Sequence, residues 1–181
     1  MPSLETLAPA LHTDRLILRG HRAEDFDASA AMWADPDVVA LISGKPSTKE
    51  QSWTRLLSYS GHWLHLGFGF WVVECKKTAT FLGEVGFADR RRNTLPNLDG
   101  TPEAGWVFKT DAHGQGYATE AVTRMLEWAD ERLEYNQTSC IFDPEHSGSI
   151  KVAEKAGFSN KVLGTYGALE TLFMWRTRKV G

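Results

Sequence analysis

The chain has 181 residues, of which 42% are hydrophobic and 24% charged, and a formal net charge of −3 at pH 7. That length suits a single domain whose core needs no covalent or metal staple. The near-balanced charge gives no global electrostatic ground for binding nucleic acid or an anionic membrane. Seven Trp and nine Phe exclude a solvated, disordered chain. Cys75 and Cys140 both lie in apolar runs far apart in sequence and are expected to be buried, reduced thiols. No basic region leads into a long apolar stretch, and no run approaches the roughly 18 apolar residues that cross a bilayer, so a cytoplasmic protein is expected.

In chain order, Arg15 to Arg19 reads as a first strand. Ala23 to Trp33 carries Phe26, Ala30 and Trp33 at helical spacing and stops at Asp35-Pro36. A second helix follows Pro46, with Ser47 or Thr48 as its cap, Glu50 or Gln51 closing a capping box, and an expected apolar face of Trp53, Leu56, Leu57 and Leu64. The period then changes to that of strands, over Phe68 to Cys75 and Thr80 to Ala88, with Lys76 to Ala79 as the turn. Arg90 to Thr101 is expected to be a loop and Glu103 to Lys109 a further strand.

The clearest helix follows a glycine-rich segment at His113 to Ala118. Ala118, Ala121, Val122, Met125, Leu126, Ala129 and Leu133 make one continuous apolar stripe. Thr138 to Phe142 reads as a strand, Ser149 to Ala156 as a short helix ended by Gly157, and Phe158 to Tyr166 and Leu169 to Thr177 as two closing strands. The order is an α/β (α+β) arrangement around a mixed sheet rather than a doubly wound chain. It comprises about seven strands and about four helices in one domain over residues 13–178, with 1–12 as an N-terminal extension.

The strand, glycine loop and helix from Glu103 to Arg124 carry the chemistry. Gly114 and Gly116 allow a tight turn and a close backbone approach. The amides of the first helical turn have no intrahelical acceptors, so they suit a pyrophosphate at the positive end of the helix. Two glycines before a helix also suit a plain turn. No Gly-Lys-Ser/Thr follows, and no Gly-x-Gly-x-x-Gly is present, so this is neither a Walker loop nor a dinucleotide fingerprint.

His113-Gly114-Gln115-Gly116-Tyr117-Ala118-Thr119-Glu120-Ala121 resembles the acetyl-CoA pyrophosphate loop of the GNAT N-acetyltransferase superfamily. The Gly-Tyr-Ala-Thr-Glu-Ala form is similar to the RimJ/RimL-like branch, which acetylates ribosomal-protein N-termini. Thr13 to Arg19 resembles that branch's opening strand, and Ser149 to Phe158 its late Glu-Lys-x-Gly-Phe motif. The resemblance implies a GNAT-type, mostly antiparallel mixed sheet and direct acetyl transfer from acetyl-CoA to an amine, with no metal, as a monomer or homodimer. The pantetheine would bond to the backbone of Trp106, Val107 and Phe108. The loop residues His113, Gly114, Gln115, Gly116, Tyr117, Ala118 and Thr119 would hold the pyrophosphate, with His146 and Ser149 also near CoA. His113 replaces the family's Arg or Gln, and His146 replaces the branch's usual Asn.

Direct transfer needs a neutral amine, a proton acceptor, a donor to the oxyanion and an acid for the departing thiolate. Glu103 and Glu84 are the candidate bases, although a buried salt bridge would also explain Glu84. Ser149 is the candidate acid, and equally a plain helix N-cap. The tyrosine that the family often uses falls on Ala153, which leaves Tyr166 as the nearest other phenol. A non-catalytic acyl-CoA-binding or sensing module is the alternative reading. Arg90-Arg91-Arg92 suits either an acidic substrate, the CoA 3′-phosphate or a solvated loop. Trp53, Trp63, Trp71 and Phe70 suit either an acceptor cleft or the core. His62 and His65 lack a third metal ligand, and Glu120 is expected to be structural.

Overall fold

The computed structural model describes residues 7–179. Its nine strands form one sheet in the order β1-β2-β3-β4-β6-β7-β9-β8-β5. They are β1 (Leu11–His12), β2 (Leu16–Arg19), β3 (Phe70–Cys75), β4 (Phe81–Ala88), β5 (Thr94–Leu95), β6 (Glu103–Phe108), β7 (Gln137–Phe142), β8 (Asn160–Tyr166) and β9 (Leu169–Thr177). Five α-helices lie wholly among the described residues: α1 (Phe26–Ala34), α2 (Pro36–Val39), α3 (Lys49–Leu66), α4 (Tyr117–Arg132) and α5 (Ser147–Lys155). All neighbouring strands pair antiparallel except β6 and β7.

The mixed sheet and the seven long strands follow the sequence reading. The elements beyond it are the two-residue strands β1 and β5 and the single turn α2, all too short to show a period. β1 adds Leu11 and His12 to the edge of the sheet. Leu11 pairs with Leu18, Ala8 and Leu11 are buried in the core, and Trp71 Nε1 donates to the Pro9 carbonyl. Residues 8–12 are therefore part of the fold.

Strand alternation sorts the core. Trp71 and Val73 of β3, Val85 and Phe87 of β4, and Ala104, Trp106 and Phe108 of β6 share a cluster with the α4 stripe Ala121, Val122, Met125, Leu126 and Ala129. Val107 of β6 joins Met32 and Trp33 of α1 and Val38 and Val39 of α2 in a second cluster. The alternation breaks at a bulge, where Val73 pairs with Gly83 but Glu74 pairs with Phe81. Phe81 consequently packs with the α1 cluster, on the side of Glu84, rather than opposite it as simple alternation suggests.

The cap of α3 forms as expected: Gln51 N donates to Thr48 Oγ1, and Thr48 N donates to Gln51 Oε1. Its inward face is different. Ser52, Leu56, Tyr59 and Trp63 are buried, while Trp53 is 42%, Leu57 51% and Leu64 60% exposed. Tyr59 and Trp63 win because their polar atoms find acceptors on Glu84 and the Phe70 carbonyl. Trp63 and Trp71 lie in the core, packed edge-on with centroids 4.7 Å apart. Cys140 is buried, and burial raises its thiol pKa. Cys75, the last residue of β3, is only half-buried, and hydrogen bonds from Thr78 lower its pKa. Among the described residues, no helix is long and apolar enough to cross a membrane, and no three His, Cys, Asp or Glu gather as a metal site would require.

Candidate active site

The sheet opens between β6 and β7. β6 pairs along its whole length with β4, from Ala88–Glu103 to Gly83–Phe108. Its parallel pairing with β7 is limited to Glu103 and Ser139. Beyond that point the strands separate, and the β7-facing backbone edge of β6 from Ala104 to Phe108 has no strand partner among the described residues. Trp106 and Phe142 meet across the gap with ring centroids 5.3 Å apart. The indole N–H of Trp106 is buried without an acceptor among the described residues.

The free edge runs directly into the glycine loop. A short 3₁₀ turn at Thr110–Ala112 leads to Gly114 (φ +73°) and Gly116 (φ +80°), both in the left-handed region that favours glycine. Gly116 is the N-cap of α4 and offers no side-chain acceptor to its first turn. The amides of Gly114, Gln115 and Gly116 have no protein acceptor among the described residues, and those of Tyr117, Ala118 and Thr119 begin the helix. The result is a cluster of free donors at the positive end of a 16-residue helix.

Glu120 holds this loop in place. Its Oε1 accepts from Thr13 Oγ1 at 2.6 Å and from the Arg15 amide at 3.1 Å, and its Oε2 accepts from Arg15 Nε at 2.7 Å. Arg15 Nη1 also donates to the Gln115 carbonyl at 3.0 Å. Burial opposes ionisation of Glu120, and these donors outweigh it, so its carboxyl lies below the usual range. Glu120 is thus a clamp between β2 and the loop.

The two candidate bases lie on the same sheet face as Val107, opposite α4. Glu84 has no exposed surface. It accepts from His21 Nε2 (3.2 Å), Ser29 Oγ (2.6 Å), Trp33 Nε1 (3.0 Å) and Tyr59 OH (3.1 Å). Burial raises its pKa, and the donors with the His21 charge lower it further than burial raises it, so the carboxyl sits below its ordinary range. Buried with all four donors on its two oxygens, Glu84 has neither surface nor a free acceptor position to offer an incoming amine. Glu103 differs. It stands where β6 and β7 part, its side chain is 11% exposed, and Arg92 holds Oε1. Its Oε2 has no protein partner among the described residues. Arg92 also lies 4.8 Å from the Tyr166 ring, which links that phenol to Glu103.

On the β7 side, α5 begins earlier than expected. His146 is its N-cap, and Ser149, three residues on, is not the cap. The Ser149 amide donates to His146 Nδ1 at 3.4 Å, and Ser149 Oγ lies 3.1 Å from His146 Nε2. Burial lowers the His146 pKa, against the pull of Asp143, and nearby His113 lowers it further. The ring is therefore neutral at pH 7. His113 Nε2 in turn bonds the Phe108 carbonyl at 3.0 Å, at the end of β6. Ala153 is buried in the core.

Sequence reasoning missed His21, Ser29 and Tyr59 around Glu84, the pairing of Arg92 with Glu103, and Arg55, whose guanidinium covers the Trp33 ring at 3.7 Å. Only Tyr59 left a signal, through its place in the Ser52-Leu56-Tyr59-Trp63 spacing of α3.

Comparison with known proteins agrees with this geometry. Residues 15–159 match the acetyltransferase (GNAT) domain. The chain is similar to the uncharacterized protein YkkB of Bacillus subtilis, 31% identical over 153 residues, covering 81% of this chain and 83% of that one. The acetyltransferase structure from Agrobacterium tumefaciens superposes with a TM-score of 0.80 at 26% identity, covering 92% of this chain and 93% of that one. The spermidine N-acetyltransferase of Vibrio cholerae, solved with CoA and spermine, shares the fold at 14% identity, with a TM-score of 0.70 over 92% of this chain and 97% of that one. A parted β6–β7 pair ending in an open amide loop, within a chain that matches over most of its length, places this protein in the GNAT acetyltransferase family.

Proposed function

We propose that this protein is an acetyl-CoA-dependent N-acetyltransferase that passes the acetyl group directly to a neutral primary amine. The acceptor is a protein N-terminus, as in the RimJ/RimL-like branch, or a small-molecule amine. The observation that carries this reading is the continuity between the free edge of β6 and the unpaired amides of the loop. A pantetheine needs backbone partners along an extended strand, and a pyrophosphate needs converging N–H groups. The orphaned indole N–H of Trp106 beside that edge supports the fit.

When bound, acetyl-CoA supplies an activated thioester; this chain supplies binding, orientation and proton handling. The backbone of Trp106, Val107 and Phe108 binds the pantetheine. The loop from His113 to Ala118, with Thr119, binds the pyrophosphate. A free N–H of β6 faces the oxygen on which negative charge develops. An alkyl amine has a pKa near 10 and an α-amine near 8, so the acceptor must shed a proton before or during attack. We assign that proton to Oε2 of Glu103, directly or through one water, with Arg92 orienting the carboxylate through Oε1.

Ser149 is assigned to the departing thiolate. Because His146 Nδ1 accepts from the Ser149 amide, the neutral ring carries its proton on Nε2 and donates to Ser149 Oγ. The hydroxyl proton is then free for a different acceptor. Acyl-CoA binding without turnover, the reading that Ala153 raises, predicts affinity with no thiol release.

Calorimetric titration with acetyl-CoA tests the assignment. Wild-type protein is expected to bind, and Gly116→Trp, which strains a left-handed residue and fills the loop, is expected to lose binding. Thiol release with a panel of amines then reads transfer. No binding by folded wild-type protein overturns the proposal.

A further inference from the structure

Beside the sheet face opposite α4, two arginines lack an ion-pair partner among the described residues. Arg91 pairs with Asp89 and Arg92 with Glu103, but Arg90, the first of the three, has no carboxylate at ion-pair distance among the described residues. Neither has Arg55 on α3. Arg55 Nη2 donates to Ser47 Oγ at 3.1 Å, and Nη1 is buried with no hydrogen-bond partner among the described residues. Burying a guanidinium without an anion is costly, because water is removed and nothing replaces it. Burial indeed weakens the hold of Arg55 on its proton; Tyr59 and Glu84 act against this, and Arg90 adds to it. Arg55 and Arg90 thus lie within electrostatic reach of each other, and neither forms an ion pair among the described residues.

Both stand one ring away from β6. Arg55 lies over Trp33, whose indole N–H bonds Glu84, the residue paired with Val107 of β6. Arg90 lies 5.9 Å from the centroid of Phe70, and the tip of that ring comes within 3.0 Å of where a Cβ on Gly105 of β6 would stand. Phe70 stacks on Tyr59 at 4.6 Å, so aromatic surface joins the two sites. Glu84, whose charge reaches Arg55, is already held by four donors and pairs with neither arginine.

We propose that Arg55 and Arg90 form an oxyanion-recognition subsite beside the proposed transfer centre, and that the amine acceptor carries a carboxylate or phosphate on the same molecule. The inference rests on the N-acetyltransferase reading above and narrows its substrate class. A guanidinium matches an oxyanion through paired N–H donors, whereas a polyamine would meet like charge on this wall.

The test is thiol release with acetyl-CoA and matched amines: α-amino acids against their α-amides, O-phosphoethanolamine against ethanolamine, amidated peptides with acidic or neutral residues after the N-terminus, and spermidine. In at least one pair the anionic member is expected to lead by about tenfold or more in kcat/KM, with spermidine poorest; the pair that does so identifies the source of the oxyanion. In Arg55→Met and Arg90→Gln that lead is expected to collapse through KM, with kcat within about threefold, and Arg55→Lys is expected to restore part of it. Arg90 is exposed, so Arg90→Gln reports even if the Arg55 variant folds poorly. Turnover blind to charge, preference for spermidine, or a lead that survives both substitutions overturns the subsite alone. Turnover of no amine, or no binding of acetyl-CoA, overturns the transferase reading and the subsite with it.

Discussion

Tyr59 on α3 donates its hydroxyl to Glu84 on β4 at 3.1 Å while its ring stacks on Phe70 at 4.6 Å. One side chain thereby ties α3 to β3 and to β4, the strand that pairs with β6. Tyr59→Phe keeps the stack and removes a hydrogen bond to a buried anion, a loss of about 1.5–3 kcal/mol. Chemical denaturation is expected to show that loss with an unchanged m-value.

Glu84 makes the fold sensitive to acid. Its donors hold the folded-state pKa below the usual value despite burial. The ionised carboxylate therefore stabilises the fold at every pH above the unfolded value of about 4.3, and that contribution disappears as pH falls through the lower folded value. Glu84→Gln, which leaves buried donors facing an amide, is expected to cost roughly 3–5 kcal/mol near neutrality. The gap from wild type should narrow below about pH 4. A gap that stays constant across that range in urea titrations would contradict the assignment.

His146 works with the opposite charge type. Burial depresses its folded-state pKa below the unfolded value of about 6.5. Stability is then full above pH 6.5 and declines as pH falls toward the folded value, because the unfolded chain takes up the proton first. His146→Asn retains an N-cap acceptor without a titrating ring, so this part of the pH dependence should vanish from thermal melts.

The Glu120 clamp should couple stability to the loop. Glu120→Ala releases Thr13, the Arg15 amide and the Arg15 guanidinium together. Arg15 is half-exposed, so solvent screening limits the cost to about 1–2 kcal/mol. Acetyl-CoA affinity is expected to fall several-fold by calorimetry, since the amides that would hold its pyrophosphate lose their anchor. An unchanged dissociation constant would show that the loop holds its shape without Arg15.

Glu103→Gln separates proton transfer from binding. The amide keeps the size of the side chain but cannot take the amine proton, so kcat is expected to fall about 10²-fold or more with acetyl-CoA binding unchanged. Activity near wild type in this variant and in Ser149→Ala would remove both residues from the proton path while leaving acetyl transfer intact.

Local pattern determined a great deal. The α4 stripe, a capping box opening α3 at Ser47 or Thr48, the glycines suited to a tight turn and the seven long strands each depend on spacings within one segment, where helical and strand periods act directly. The loop and its family resemblance belong to the same class, because a backbone turn before a helix is a local object. Tertiary structure decided what depends on partners remote in the chain. That Glu84 is a sealed anion follows from four donors on β2's flank, α1 and α3; that Glu103 keeps one oxygen free follows from Arg92, eleven residues earlier on another segment. The inward face of α3 was settled by Tyr59 and Trp63 finding acceptors on the sheet, and Trp53, on another face of the same helix, stays exposed. The unpaired charges of Arg55 and Arg90 are likewise invisible in sequence: a cation's lack of an anion is a property of the space around it.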